Sequence, residues 1–127
     1  MNRIVLDSSA LIALLKPEPG SGVVASHLTG ATLSAVNLAE VVTWMRQRGD
    51  SLEAIHWTLD MLNLNTIDFD GDLAIGTGVL VDETKKYGLS LGDRACLASA
   101  AREGIPVLTA ERSWANLNLG VAIQLIR

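Results

Sequence analysis

The stretch Ile4-Val5-Leu6-Asp7-Ser8-Ser9-Ala10-Leu11-Ile12-Ala13-Leu14-Leu15 decides how this chain is read. Its three leading apolar residues predict a short strand covered on both faces, because such strands show an unbroken apolar run where half-exposed ones alternate. An acid follows at once. The small-residue and leucine-rich segment from about Ser9 to Leu15 then predicts a helix. Lys16-Pro17-Glu18-Pro19-Gly20 ends it, since proline cannot continue the backbone bonding.

The same alternation continues along the chain. A short helix is expected around Ser21 to His27, a strand at Thr32-Leu33-Ser34, and a long helix from about Val36 to Arg48 that Gly49 closes. Asp50 and Glu53 are spaced as a capping box for a helix running to about Leu62. Asn65-Thr66-Ile67 reads as a weak strand. Asp70 can cap one helix reaching Tyr87, with Gly88 as its terminator. Ser90-Leu91-Gly92-Asp93 opens another that ends at Gly104, ahead of Pro106. Val107-Leu108-Thr109 and Val121 to Ile126 are the last strands. Such alternation implies an α/β fold with a central, mostly parallel sheet of four or five strands covered on both faces. Ligands in such folds sit beyond the carboxyl ends of the strands. Asp7 and Glu111 both fall just after a strand.

Nothing divides the 127 residues, so a single domain over 1–127 is expected. With 49% hydrophobic residues the chain can bury a core without disulfides or a structural metal. Its one cysteine, Cys96, lies among Ala95, Leu97 and Ala98 and reads as a buried, inert thiol, which suits a reducing cytoplasm. Arg3 is followed by only Ile4, Val5 and Leu6 before Asp7, so no secretory signal is expected there. The longest uncharged stretch, Pro19 to Ala39, is too polar for a membrane span. A net charge of −4 counts mildly against nucleic-acid binding, unless the acids gather around cations that reverse the local field.

Each acid has a plain structural reading beside the functional one. Asp7 can simply cap the first helix. Glu40 sits in an unusually apolar helix whose polar residues, Ser34, Asn37, Glu40 and Thr43, recur every third position; that stripe faces either water or a cleft. Asp93 can form a reciprocal cap with Ser90, and Glu111 can be a solvated loop charge. Two of the four follow strands, and two lie on helices flanking the same sheet edge. Carboxylates that converge there repel one another unless cations neutralise them. Oxygen-only ligands suit Mg²⁺ or Mn²⁺, and such ions promote phosphodiester cleavage. Other chemistries lack support. His27 and His56 are isolated, Gly20-Ser21-Gly22 is too short for a phosphate loop, and no Gly-x-Ser-x-Gly elbow exists. Trp44, Trp57 and Trp114 read as packing residues in preference to base-stacking platforms.

The segments Ile4 to Leu11, Asn37-Leu38-Ala39-Glu40-Val41, Leu89 to Ala98 and Val107 to Trp114 resemble the PIN-domain family and, more closely, the VapC toxins of bacterial toxin–antitoxin pairs. The resemblance spans essentially the whole chain and is most specific around Asp93. It implies a PIN-like three-layer α/β/α fold and a cytoplasmic endoribonuclease that cleaves RNA with Mg²⁺ or Mn²⁺, forms homodimers and is silenced by a cognate VapB-like antitoxin. It makes Asp7, Glu40 and Asp93 the core metal-binding acids. Glu111 stands where the family usually has Asp, so a catalytically silent PIN-like binding module is the alternative. Ser8 and Thr109 would orient ligands or waters behind the acids. Arg94 and Arg112 would touch phosphate or form surface ion pairs. The apolar helices before Pro17 and after Asp50 would receive the antitoxin. A phosphoacceptor receiver would need paired acids after the first strand and a lysine after the last core strand; both are missing. An aspartyl phosphatase would need a second Asp two residues beyond Asp7, where Ser9 stands.

Overall fold

Ile4–Leu6 forms β1, the middle strand of a five-stranded sheet in the computed structural model, which describes residues 3–127. The other strands are β2 (Ala31–Ser34), β3 (Asn65–Ile67), β4 (Val107–Thr109) and β5 (Ile123–Leu125). All pairings are parallel, in the order β3-β2-β1-β4-β5. Between them run α1 (Ser8–Leu15), α2 (Ser21–Ser26), α3 (Ala35–Gln47), α4 (Leu52–Leu62), α5 (Gly71–Val79), α6 (Val81–Thr84) and α7 (Leu91–Glu103).

The pleat of β1 divides the core in two. Ile4 and Leu6 point into a layer with Leu11 of α1, Val24 of α2, Val41 and Met45 of α3 and Ile55 of α4. Val5 points the other way, against Leu73 of α5, Cys96 and Leu97 of α7, and Trp114. Successive strand residues face opposite sides, so an apolar triplet with helices on both sides makes a three-layer α/β/α fold. No helix among the described residues is long and apolar enough to cross a membrane.

Four local expectations need correction. The first turn of α4 is capped by Ser51, whose Oγ accepts from the Ala54 amide at 3.1 Å, and not by an Asp50–Glu53 box. Asp50 instead receives the Arg48 Nε at 2.8 Å. Ser51→Ala should therefore cost about 1 kcal/mol in urea denaturation, while Asp50→Ala, which loses only a surface pair, should cost under about 0.5 kcal/mol. The single helix expected from Asp70 to Tyr87 is broken into α5, α6 and a 3-10 turn at Lys85–Tyr87. The break follows Gly76 and Gly78, which weaken a helix interior, and it lies where Arg94 Nη1 donates to the Thr77 carbonyl at 3.0 Å and the Gly78 carbonyl at 3.5 Å. The last strand is shorter than Val121 to Ile126. Trp57, expected to pack, is 66% exposed on the outer face of α4. Trp114 is buried, and Trp44 is half-buried with the Arg48 guanidinium 4.3 Å above its ring.

The sheet order places a topological switch between β1 and β4. From β1 the chain moves to β2 and β3 on one side, whereas β4 and β5 lie on the other. Clefts form at such points, beyond the carboxyl ends of the strands. Asp7 directly follows β1, and Glu111 lies two residues beyond β4. Ser34 both ends β2 and caps α3, so α3 starts at this edge. α7 leads back to the opposite end of β4, so its first turn, with Asp93, also lies at this edge.

Candidate active site

Asp7 is a charge in a place that charges avoid. It is 2% exposed and occupies the cap position of α1 without making a side-chain cap bond, so the helix-cap reading fails. Its bonds run elsewhere. Ser9 Oγ donates to Oδ2 at 2.6 Å, and Thr109 Oγ1 donates to the same oxygen at 3.0 Å. The parallel register sets this up: Leu6 pairs with Leu108, and the Asp7 amide donates to the Leu108 carbonyl at 3.0 Å. Thr109 is thereby brought alongside Asp7. Burial pushes the Asp7 carboxyl up from an ordinary 3.8 to about 6. The Ser9 and Thr109 bonds oppose that rise, and the negative fields of Asp93 and Glu111 add to it.

Glu40 is half-buried on α3, and its Oε1 accepts from Ser8 Oγ at 2.6 Å and Asn37 Nδ2 at 2.8 Å. The polar stripe is therefore neither wholly wet nor wholly lining: Ser34 and Asn37 are buried, Glu40 is at the boundary, and Thr43 is exposed. Asp93 makes the expected reciprocal cap. Its Oδ2 accepts from the Ser90 amide at 2.9 Å, and its own amide donates to Ser90 Oγ at 3.2 Å. The cap does not remove it from the cluster, since its charge is felt at Asp7.

Cys96, fully buried one turn along α7 from Asp93, reads the same cluster from beneath. Burial pushes its thiol well up, with the fields of Asp7, Asp93 and Glu40 adding to the effect. Asp7 feels the charges of Asp93 and Glu111, and Cys96 those of Asp7, Asp93 and Glu40, so the acids lie on one side of the molecule, at the carboxyl edge of the sheet. The inert thiol expected from the sequence follows.

A divalent cation fits this spot in charge and donor type. The acids supply only oxygen, and a cation would relieve the like-charge field on Asp7. Among the described residues, no three Asp, Glu, His or Cys side chains are gathered closely enough to hold an ion by themselves. Mg²⁺ does not require that, because it keeps several waters and takes one or two carboxylates.

The remaining residues sort themselves by what they touch. Glu111 is exposed; its backbone amide donates to Thr109 Oγ1 at 3.0 Å. Arg112 is exposed and has no carboxylate within 4.0 Å among the described residues. Arg94 is committed to the α5 carbonyls, and its Nε is buried without a partner. Ser8 Oγ donates to Glu40 Oε1 and Thr109 Oγ1 donates to Asp7 Oδ2, so each hydroxyl serves a different acid. Ser9 and Asn37 were not singled out as partners from the sequence. The only available signals were Ser9 two residues beyond Asp7 and Asn37 one turn before Glu40.

Residues 4–118 match the model of the PIN domain family. No curated protein matches the chain. The DNA-bound VapBC structure from Salmonella typhimurium is 20% identical, with 100% of each chain covered and a TM-score of 0.73. VapBC-1 from nontypeable Haemophilus influenzae is 17% identical, with 98% of each chain covered and a TM-score of 0.74. VapC20 of Mycobacterium tuberculosis, a sarcin-ricin loop cleaving toxin, is 18% identical over 94% of this chain and 98% of that one, with a TM-score of 0.69. At these identities the likeness concerns the fold.

Proposed function

The chain belongs to the PIN domain family, and from that premise we propose that it is a metal-dependent endoribonuclease, the toxin of a VapBC-type toxin–antitoxin pair. One observation carries the reading: Asp7, 2% exposed at the switch point, is held by the hydroxyls of Ser9 and Thr109 and forms no ion pair among the described residues. A buried carboxylate without a cationic side chain is the kind of group that a bound metal ion compensates. Asp7, Glu40 and Asp93 would hold Mg²⁺ or Mn²⁺, with Glu111 at the rim. When bound, the cation would make hydroxide available near neutral pH and offset charge on the phosphodiester oxygens. Ser9 and Thr109 hold Asp7, and Ser8 holds Glu40. Arg112, free at the edge, is the candidate for phosphate contact. Arg94 is already occupied and serves the fold.

Trp57 and Met61, exposed one turn apart on α4, form an apolar strip that supports docking of a VapB-like antitoxin helix. Ile75 and Val79, one turn apart on α5, form a second exposed strip suited to a homodimer. A cytoplasmic location goes with this role. Purified protein incubated with pooled cellular RNA should cleave it, lose cleavage in EDTA, and regain it when Mg²⁺ or Mn²⁺ is restored in excess. Cleavage that persists in EDTA would reject the mechanism. A catalytically silent PIN-like module is the second reading, favoured by Glu111 standing exposed where the family usually carries Asp. It predicts no Mn²⁺ binding at millimolar concentration.

A further inference from the structure

Asn37 is fully buried one turn before Glu40, and a single nitrogen does most of its work. Nδ2 donates to Glu40 Oε1 at 2.8 Å and to the Gly92 carbonyl at 3.1 Å, and it lies 3.3 Å from Ser8 Oγ. Ser8 spends its own proton on the same Glu40 oxygen. One amide therefore joins α1, α3 and the first turn of α7. Its orientation follows from its neighbours, because turning it over would set a carbonyl oxygen against a carboxylate and a second carbonyl. The Asn37 Oδ1 is left buried without a partner among the described residues, an arrangement that works against stability.

Gly92 completes the arrangement from the other side. It lies in the first turn of α7 and does not have a positive φ, so the backbone does not demand glycine. Alanine would form the better helix. A Cβ at this position would overlap Glu40 Oε2 and lie 2.5 Å from Cδ and Oε1. The missing side chain is thus the seat of the Glu40 carboxylate, directly beside Asp93. We propose that Asn37 and Gly92 are positioning residues for Glu40: the amide holds Oε1, and the bare Cα leaves room for Oε2 to face the shared cation site. This rests on the reading of Glu40 as a metal-binding acid.

The test uses Mn²⁺ titration calorimetry on the full-length protein, together with a metal-free readout. Asn37→Ala and Gly92→Ala should each weaken Mn²⁺ binding by about 10–100-fold, the usual cost of losing support behind a ligand. Adding either to Glu40→Ala should produce no further loss, since both act through that carboxylate. Without metal, the Asn37 side-chain NH₂ resonances in a ¹⁵N correlation spectrum should move in Gly92→Ala towards their positions in Glu40→Ala. Gly92→Ala should also raise the Tm in the Glu40→Ala background, where the seat is empty. Wild-type Mn²⁺ affinity in Gly92→Ala, unmoved Asn37 resonances, or a lowered Tm in the double variant would overturn the proposal. If wild-type protein binds no Mn²⁺, the nuclease reading fails, while the resonances and the Tm still decide whether Asn37 and Gly92 position Glu40. If Asn37→Ala does not fold, Gly92→Ala carries every readout alone.

Discussion

Asp7→Asn is expected to lower RNA cleavage by more than about 100-fold and, at neutral pH without metal, to raise the Tm. The activity loss should exceed the 10–100-fold typical of residues that merely support a ligand, because Asp7 is itself placed as one. The gain in stability follows from proton linkage. The carboxyl titrates at about 6 in the fold and near 3.8 when exposed. Between those values the native state holds more protons than the unfolded chain, so stability falls as pH rises, and the full penalty is present above pH 6. The gap corresponds to roughly 3 kcal/mol. Asn keeps an oxygen to accept from Ser9 and Thr109 and removes the buried charge, so about 1–3 kcal/mol should be recovered at pH 7.5 and almost none at pH 3.5. Thermal melts of both proteins across that range, in EDTA, measure it. An Asp7→Asn protein that is less stable than wild type at pH 7.5 would mean that the charge has a compensating partner.

What the sequence allowed, and what it hid, follows the range of the interaction involved. β1, Asp7 and α1 were readable because a doubly covered strand announces itself as an apolar run ending in a polar residue. The cap of α4 slipped by one residue because Asp50 and Ser51 are both good caps; the neighbouring Arg48 draws Asp50 away. The break after Val79 has a local signal in Gly76 and Gly78, whereas the Arg94 bond to the Thr77 carbonyl, from 17 residues downstream of Thr77, has none. The site shows the same division. The four acids stood out as candidates by type and position. Which hydroxyl serves which acid could not, because Thr109 reaches Asp7 across 102 residues and Ser8 reaches Glu40 across 32. Trp57 looked like core because α4 carries apolar residues all round; only the packed layer reveals that Ile55 is the buried one.

Asp93 combines two roles that the sequence offered as alternatives, and substitution should separate them. As a cap, it accepts from the Ser90 amide through Oδ2. Asn retains an oxygen for that bond and loses only the favourable charge at the helix start, so Asp93→Asn should cost about 0.3–1 kcal/mol in urea denaturation. Asp93→Ala loses the bond as well and should cost about 1–2 kcal/mol. As an acid, it contributes negative field at both Asp7 and Cys96, and neither substitute carries charge. Cleavage should therefore fall by more than about 100-fold in both variants, out of proportion to the small loss of stability in Asp93→Asn. A cap alone predicts a split between them, with Asp93→Asn close to wild type in rate and only Asp93→Ala impaired. Measuring the two variants side by side, folded and at the same Mn²⁺ concentration, therefore distinguishes a charge used to hold the cation from a residue that merely starts α7.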